Sequence, residues 1–358
     1  MNNSFYRFSI ILTGLLLLSQ IIYCQNGKTK KFKETYDVNA NSKLILINKY
    51  GDIDIKDWDK NTVVVEVTIL LKDINDQRAA QIFEKINIDF SREGNTIKVE
   101  TIFDEDFFRM VNSNNLQNRK FDINYSVMLP SYLTTEVNNK YGNVFVSKLA
   151  SPSVINVKYG SLKINELLAE DKENMAEIDL AYSKGNIENC RWVKLQAKYS
   201  QITIQKSKAL LAITKYSKIF VDQGSTLICE SKYDTYEFGT LSNFVTEAQY
   251  SNFRGEVVKR KIELDTKYTD VKIHQIPRGF ESIDIENRYG AVKLGIVDGA
   301  SYKIKGNARY ARINYPETGK VSRFQENVEM RVEGVVGNDE KTESMVNIET
   351  EYGGVILY

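Results

Sequence analysis

The sequence predicts an all-β fold, a single-chain parallel β-solenoid (β-helix) with an N-terminal cap that contains one short helix and a C-terminal β cap. Three observations predict it. A Tyr-centred motif recurs along the chain, the interval between copies is steady, and 4 prolines against 21 tyrosines mark an ordered, strand-rich composition.

The N-terminus carries Arg7, then an apolar run from Phe8 to Tyr23, then polar sequence from Gln25. This is the pattern of a secretory signal peptide over residues 1–24. The run is short for the roughly 20 apolar residues of a spanning helix, so no transmembrane span is expected after signal removal. The expected location is the periplasm, the outer cell surface or the medium. Cys24 offers an alternative as a lipidated first residue, but Tyr23 is bulky where such signals want a small side chain, which favours cleavage before Gln25. A formal net charge of +1 provides no overall field for nucleic acid.

Residues 25–133 read as the N-terminal cap. A first motif copy, NKYGDIDI, starts at Asn48, and a strand follows over Thr62 to Leu71. Ala79, Ile82, Phe83 and Ile86 recur at helical spacing after Asp73 or Asn75 as cap, which predicts one helix. A hairpin is expected from Asn87 to Phe90 and Ile97 to Thr101, turning at Arg92 to Asn95. The polar stretch Asp104 to Arg119, with Asn112, Ser113, Asn114 and Asn115 in a row, reads as a mobile loop.

Residues 134–316 hold the repeat: NKYGNVFV at Asn139, VKYGSLKI at Val157, AKYSQITI at Ala197, TKYSKIFV at Thr214 and TKYTDVKI at Thr266, among others. The tyrosines are Tyr141, Tyr159, Tyr182, Tyr199, Tyr216, Tyr233, Tyr250, Tyr268, Tyr289 and Tyr310, separated by 17 to 23 residues. No repeat this short buries its own apolar face, so copies must stack at about 4.8 Å, giving roughly 50 Å for about ten rungs. Strand side chains alternate, and Val137, Ile155, Ile178, Leu195 and Leu264 stand four residues before a Tyr, which places the Tyr on the same inward face. After the Tyr the parity flips, with apolar residues three and five positions on, so a corner is expected at the Gly, Ser or Thr that follows the Tyr. On this reading the tyrosines form a structural ladder, and Tyr216→Ala is expected to lower stability by roughly 3 kcal/mol or more. The alternative is a corner position that exposes the rings as a row on which sugars stack, with an unchanged melting temperature as its mark. The residue before the Tyr points outward, so Lys198, Lys215, Lys232, Lys267 and Arg288 make a candidate outer binding face. An acidic column of Glu230, Glu247, Asp265 and Glu286 runs beside it.

Residues 317–358 read as the C-terminal cap. Pro316 interrupts the array, strands are expected at Phe324 to Glu333 and Met345 to Thr350, and a final motif copy holds Tyr352.

No catalytic, cofactor or metal constellation stands out. His274 is the one histidine and falls at an outward position. There is no nucleophile elbow, P-loop or zinc-type Cys/His spacing. Asp104, Glu105 and Asp106 supply hard oxygen donors for calcium, but a solvated acidic loop accounts for them. Cys190 and Cys229 sit about two rungs apart, which argues against a disulfide.

The signal-like start, NKYGDIDI followed by the Trp58 segment DWDKNTVVVEV, the short helix, the hairpin and the repeated KYG or KYS rungs together resemble the bacterial putative-adhesin family of unknown function. The resemblance covers nearly the whole chain after the signal. It implies a non-enzymatic, adhesin-like surface or envelope protein that holds a surface protein or polysaccharide through its outer faces. The alternatives are a glycan-binding or carbohydrate-active β-helix protein and a periplasmic scaffold or envelope-stress partner.

Overall fold

A computed structural model describes residues 20–24, 27–112 and 121–358. The chain is all-β, with two short helices and a long, mostly parallel, many-stranded sheet. Successive motif copies pair in parallel and in register. Gln201–Lys215 lies against Lys184–Lys198 on one side and Lys218–Lys232 on the other, with Ile202 opposite Ile219 and Ala212 opposite Cys229. Each copy is called a rung here and is named by its tyrosine.

The apolar columns face inward as the alternation requires. Val137, Ile155, Ile178, Leu195 and Leu264 are buried before the corner, and so are Ile202, Ile204, Ile219, Val221, Val292 and Leu294 after it. In the middle of the stack aromatic side chains replace the aliphatic ones: Tyr236 stacks on Phe253 at 5.0 Å, and Phe244 packs against both Phe238 and Phe253. Gly255 follows Phe238 in the same inward column, and a Cβ there would lie 2.0 Å from the Phe238 ring. Both cysteines are buried and free, and burial pushes their thiols up to about 11 for Cys190 and about 12 for Cys229.

The N-terminal segment both caps and joins the stack. Lys43–Lys49 pairs in parallel with Thr134–Lys140, so the Tyr50 rung abuts the Tyr141 rung although 84 residues separate Lys49 from Thr134 in the chain. The antiparallel strands Gly27–Asp37, Thr62–Leu71 and Phe121–Pro130 cover this end. The predicted helix forms over Asp76–Glu84, with Asn75 as its cap accepting the Arg78 N–H, and it buries Ala79, Ile82 and Phe83. Ile86 is not part of it; that residue begins the hairpin Ile86–Glu93 and Thr96–Phe103. The stretch read as a loop contains a second helix, Phe107–Asn112, and the remainder, 113–120, lies outside the described residues. Residues 1–19 of the expected signal also lie outside them, while Gln20–Cys24 runs antiparallel along Gly27–Asp37. Among the described residues no helix is long and apolar enough to cross a membrane.

The C-terminal segment departs from the expected cap. Gly319–Glu326 and Glu329–Val336 form an antiparallel hairpin that covers the Tyr310 rung. Met345–Glu351, however, inserts between Ser282–Arg288 and Tyr302–Arg309, pairing in parallel with both. The Tyr352 rung therefore stands inside the stack. A rung that must bury two edges satisfies more backbone groups there than it would as an end strand.

Candidate functional site: a ridge of tyrosine and lysine

The corner of each rung is made by the tyrosine itself. Twelve tyrosines, from Tyr50 to Tyr352, have φ between 51° and 69°, the left-handed region that disfavours a side chain. This corrects the inward placement of the ladder. The left-handed residue moves the parity flip to one position earlier, so the lysine and the tyrosine both face out and the residue after the tyrosine faces in. Ten of the rings are 41–51 % exposed, and Tyr50 and Tyr141 are partly covered.

The rings stack on one another in a single file. Centroids are 4.8–5.2 Å apart and adjacent planes lie within 14° along the order Tyr50, Tyr141, Tyr159, Tyr182, Tyr199, Tyr216, Tyr233, Tyr250, Tyr268, Tyr289, Tyr352, Tyr310. Each favourable pair is worth about 0.5–1.5 kcal/mol beyond burial, which offsets a left-handed cost of about 1–2 kcal/mol per residue. Because the ring is half exposed, the expected loss for Tyr216→Ala falls to about 2 kcal/mol. Tyr216→Gly is expected to be milder than Tyr216→Ala by about 1 kcal/mol, since glycine removes the same ring but relieves the backbone. Thermal unfolding of the two variants checks this; equal losses would mean that the corner carries no strain.

The inward residue after each tyrosine builds a polar seam. The Ser183 N–H donates to Ser200 Oγ at 3.1 Å, Ser200 N–H to Ser217 Oγ at 3.2 Å, Ser217 N–H to Asp234 Oδ1 at 2.7 Å and Asp234 N–H to Ser251 Oγ at 3.1 Å. Where that residue is Gly, the rungs approach more closely: a Cβ on Gly160 would lie 1.9 Å from the Gly142 carbonyl oxygen. Three of those copies carry Asn two residues before the tyrosine, and its amide takes over the role of the hydroxyl, as when Asn139 Nδ2 donates to the Gly51 oxygen at 3.0 Å. The contrast between NKYG and AKYS copies is thus one of two ways to close the same corner.

Asp234 is the carboxylate in this seam. It also accepts from the Thr214 and Ser231 hydroxyls and the Lys232 N–H, yet burial outweighs these donors and raises its carboxyl above the ordinary 3.8. The folded state then holds a proton that the unfolded state releases, so its contribution to stability is complete below the ordinary value and is lost as pH rises through the raised one. Asp234→Ser, which copies Ser217 and Ser251, is expected to gain stability relative to the wild type as pH rises above the ordinary carboxyl value. A melting-temperature difference independent of pH would contradict this.

Outside the seam, the residue before each tyrosine forms an outward column that includes Lys49, Lys140, Lys158, Lys198, Lys215, Lys232, Lys267, Arg288 and Arg309. The structure thus brings the five predicted basic residues together in one file beside the rings. Several sit over a phenol face edge, with Lys140, Lys215 and Lys232 Nζ at 4.9, 5.2 and 5.7 Å from the ring centres of Tyr141, Tyr216 and Tyr233. On the other flank, Lys184, Gln201 and Lys218 border an open groove of about 920 Å³ that follows Tyr159 to Tyr233. Sequence reasoning missed Lys184 and Lys218; they lie two residues after a tyrosine, and their direction follows only once the left-handed corner is known.

Other candidates resolve differently. Asp104 accepts the Asp106 N–H and pairs with Lys85, and Asp106 pairs with Arg109, so these carboxylates serve the second helix and its approach. His274 is exposed.

No family model and no curated protein matches the chain. Three solved structures show a likeness over 92 % of it. One is described as a putative cell adhesion protein from Clostridium sporogenes, 12 % identical with a TM-score of 0.19 over 99 % of its length. A putative lipid binding protein from Parabacteroides distasonis is 9 % identical with a TM-score of 0.31 over 96 % of its length. A putative adhesin from Bacteroides fragilis is 10 % identical with a TM-score of 0.28 over 97 % of its length. Likeness at this level assigns no function.

Proposed function

We propose that the stacked rungs form a β-solenoid that acts outside the cytoplasm as a non-enzymatic, adhesin-like protein, holding its partner on the tyrosine and lysine ridge. The observation that carries this reading is the ridge itself. Tyrosines occupy twelve backbone positions that suit glycine better, and ten of them keep 41–51 % of their surface exposed. A fold that needed only a corner would be served by glycine. Aromatic rings and basic side chains displayed in one file are the groups that binding surfaces use.

The ridge also narrows the mode of binding. Each ring face is taken by its neighbours at 4.8–5.2 Å, so sugars cannot stack on the faces as on a lone aromatic platform. Ring edges, phenol hydroxyls and ammonium groups remain, and these recognise hydrogen-bond acceptors and anions.

The test is retention of purified protein lacking residues 1–24 on intact cells of the producing species, together with protease shaving of those cells against a periplasmic control. Retention that falls severalfold when Lys158, Lys198 and Lys215 are changed to Gln supports the ridge. Retention indifferent to those changes rejects it, and a chain that survives shaving as the control does points to a scaffold within the envelope.

A further inference from the structure

We infer that the stretch of the ridge from Tyr141 to Tyr216 binds a linear anionic polysaccharide, a chain of uronate type, laid along the stack. The inference rests on the ridge reading above and names its ligand.

The basic column is not uniform along the protein. In the rungs from Tyr233 to Tyr289, the neighbouring outward column carries Glu230, Glu247, Asp265 and Glu286. Further on, Glu351 lies 4.0 Å from Arg288 and 3.8 Å from Arg309. Arg288 and Arg309 are thereby paired, and Lys232 and Lys267 stand beside carboxylates of the adjacent column, which removes Lys267 and Arg288 from the binding stretch. From Tyr141 to Tyr216 the same neighbouring column reads Asn138, Asn156, Asp179, Gln196 and Ile213. Its single acid, Asp179, falls where the basic column itself is interrupted by Ala181. There Lys184 supplies a charge from the opposite flank, and Lys218 does the same at Tyr216. Among the described residues, none of Lys140, Lys158, Lys184, Lys198, Lys215 and Lys218 has a carboxylate oxygen within 4.0 Å. A chain with a net charge of only +1 thus concentrates six unpaired cations along five rings, about 20 Å of stack.

Spacing selects the ligand class. The rings repeat every 4.8–5.1 Å here, so hydroxyls and ammonium groups recur once per rung in a straight file. An extended β-1,4-linked pyranose chain advances by a closely similar distance per sugar, and its near two-fold twist turns successive uronate carboxylates to alternate sides, toward the basic file on one flank and toward Lys184 and Lys218 on the other. The phenol hydroxyls of Tyr159, Tyr182, Tyr199 and Tyr216 have no partner within the described protein and are free to bond ring and hydroxyl oxygens. Single-stranded nucleic acid is also a linear polyanion, but its non-specific binders rely on bases stacking on aromatic faces. In this file those faces are covered.

The experiment is calorimetric or interferometric titration of the chain lacking residues 1–24 with β-1,4-linked mannuronate hexamer. Neutral mannohexaose and a thymidine oligonucleotide of equal charge serve as comparison probes, at low and at physiological salt. The expected result is mannuronate binding that weakens with salt, exceeds mannohexaose by about tenfold or more, and drops about tenfold in the K158Q/K198Q/K215Q variant. Lys272→Gln with Lys293→Gln, on another outward column, is expected to leave it unchanged. Unaltered melting of both variants keeps a folding defect from imitating the result. Failure of mannuronate to bind, equal binding by the triple variant, or tighter binding of the oligonucleotide overturns the inference. If cell retention still depends on the three lysines in that event, the ridge reading stands and only its anionic sugar ligand is lost.

Discussion

A chain ending at residue 337 is expected to lose the segment from 297 onward as an ordered unit. The missing strands Met345–Glu351 and Val355–Leu357 bury Val346, Ile348, Val355 and Leu357, each 2 % exposed or less. At about 1.5–3 kcal/mol per fully buried side chain, the direct loss is on the order of 6 kcal/mol or more. The indirect loss follows from position. Because Met345–Glu351 lies between Ser282–Arg288 and Tyr302–Arg309, its removal leaves the Tyr310 rung and its covering hairpin without a parallel partner. Limited proteolysis with mass mapping is therefore expected to show early cuts between 297 and 336, with the rungs up to Tyr268 protected. A shortened chain as resistant as the full one would mean that the Tyr310 rung docks directly on the Tyr289 rung.

Gly255→Val is expected to destabilise by about 2 kcal/mol through overpacking, and Phe238→Val in the same chain to recover most of it. The inward column that holds Ile204 and Val221 in earlier rungs widens to Phe238 and then narrows to Gly255, whose added Cβ would sit 2.0 Å from the ring. Because no positive φ applies at Gly255, the penalty is steric and a smaller neighbour removes it. Chemical denaturation of both single variants and the double variant measures the coupling. Additive losses would show that the ring and the glycine do not share the space.

The stacking order of the middle rungs was legible because the motif is short, repeated and alternates strictly, so Ile202, Ile219 and Leu195 announce their column by spacing alone. The hairpin was legible for the same local reasons, and the helix cap was narrowed to Asp73 or Asn75, of which the structure uses Asn75. The direction of the tyrosines was not. Alternation assigns a face only while every residue is extended, and a left-handed residue resets the count at its own position. A bulky aromatic is an unexpected occupant of that conformation, so the following Gly or Ser attracted the assignment. The placement of Tyr352 between Tyr289 and Tyr310 was hidden for a different reason: a rung's identity is written in its sequence, but its neighbours are chosen by which edges remain open once the chain returns. For the site, the basic file before each tyrosine was legible, whereas its uneven compensation depends on which outward columns stand side by side.

That returning strand also sets an order of events. A stack that nucleates among the central rungs grows by adding the next segment to an open edge, a step that needs only local loop closure. Such growth proceeds rung by rung as far as Tyr289 and then meets a neighbour in space that lies 63 residues further along the chain. The Tyr310 segment must wait, unpaired or wrongly paired, until Tyr352 arrives. The expected signature is a slow refolding phase confined to the C-terminal rungs, since long-range parallel pairing is paid for in loop entropy before any contact returns it.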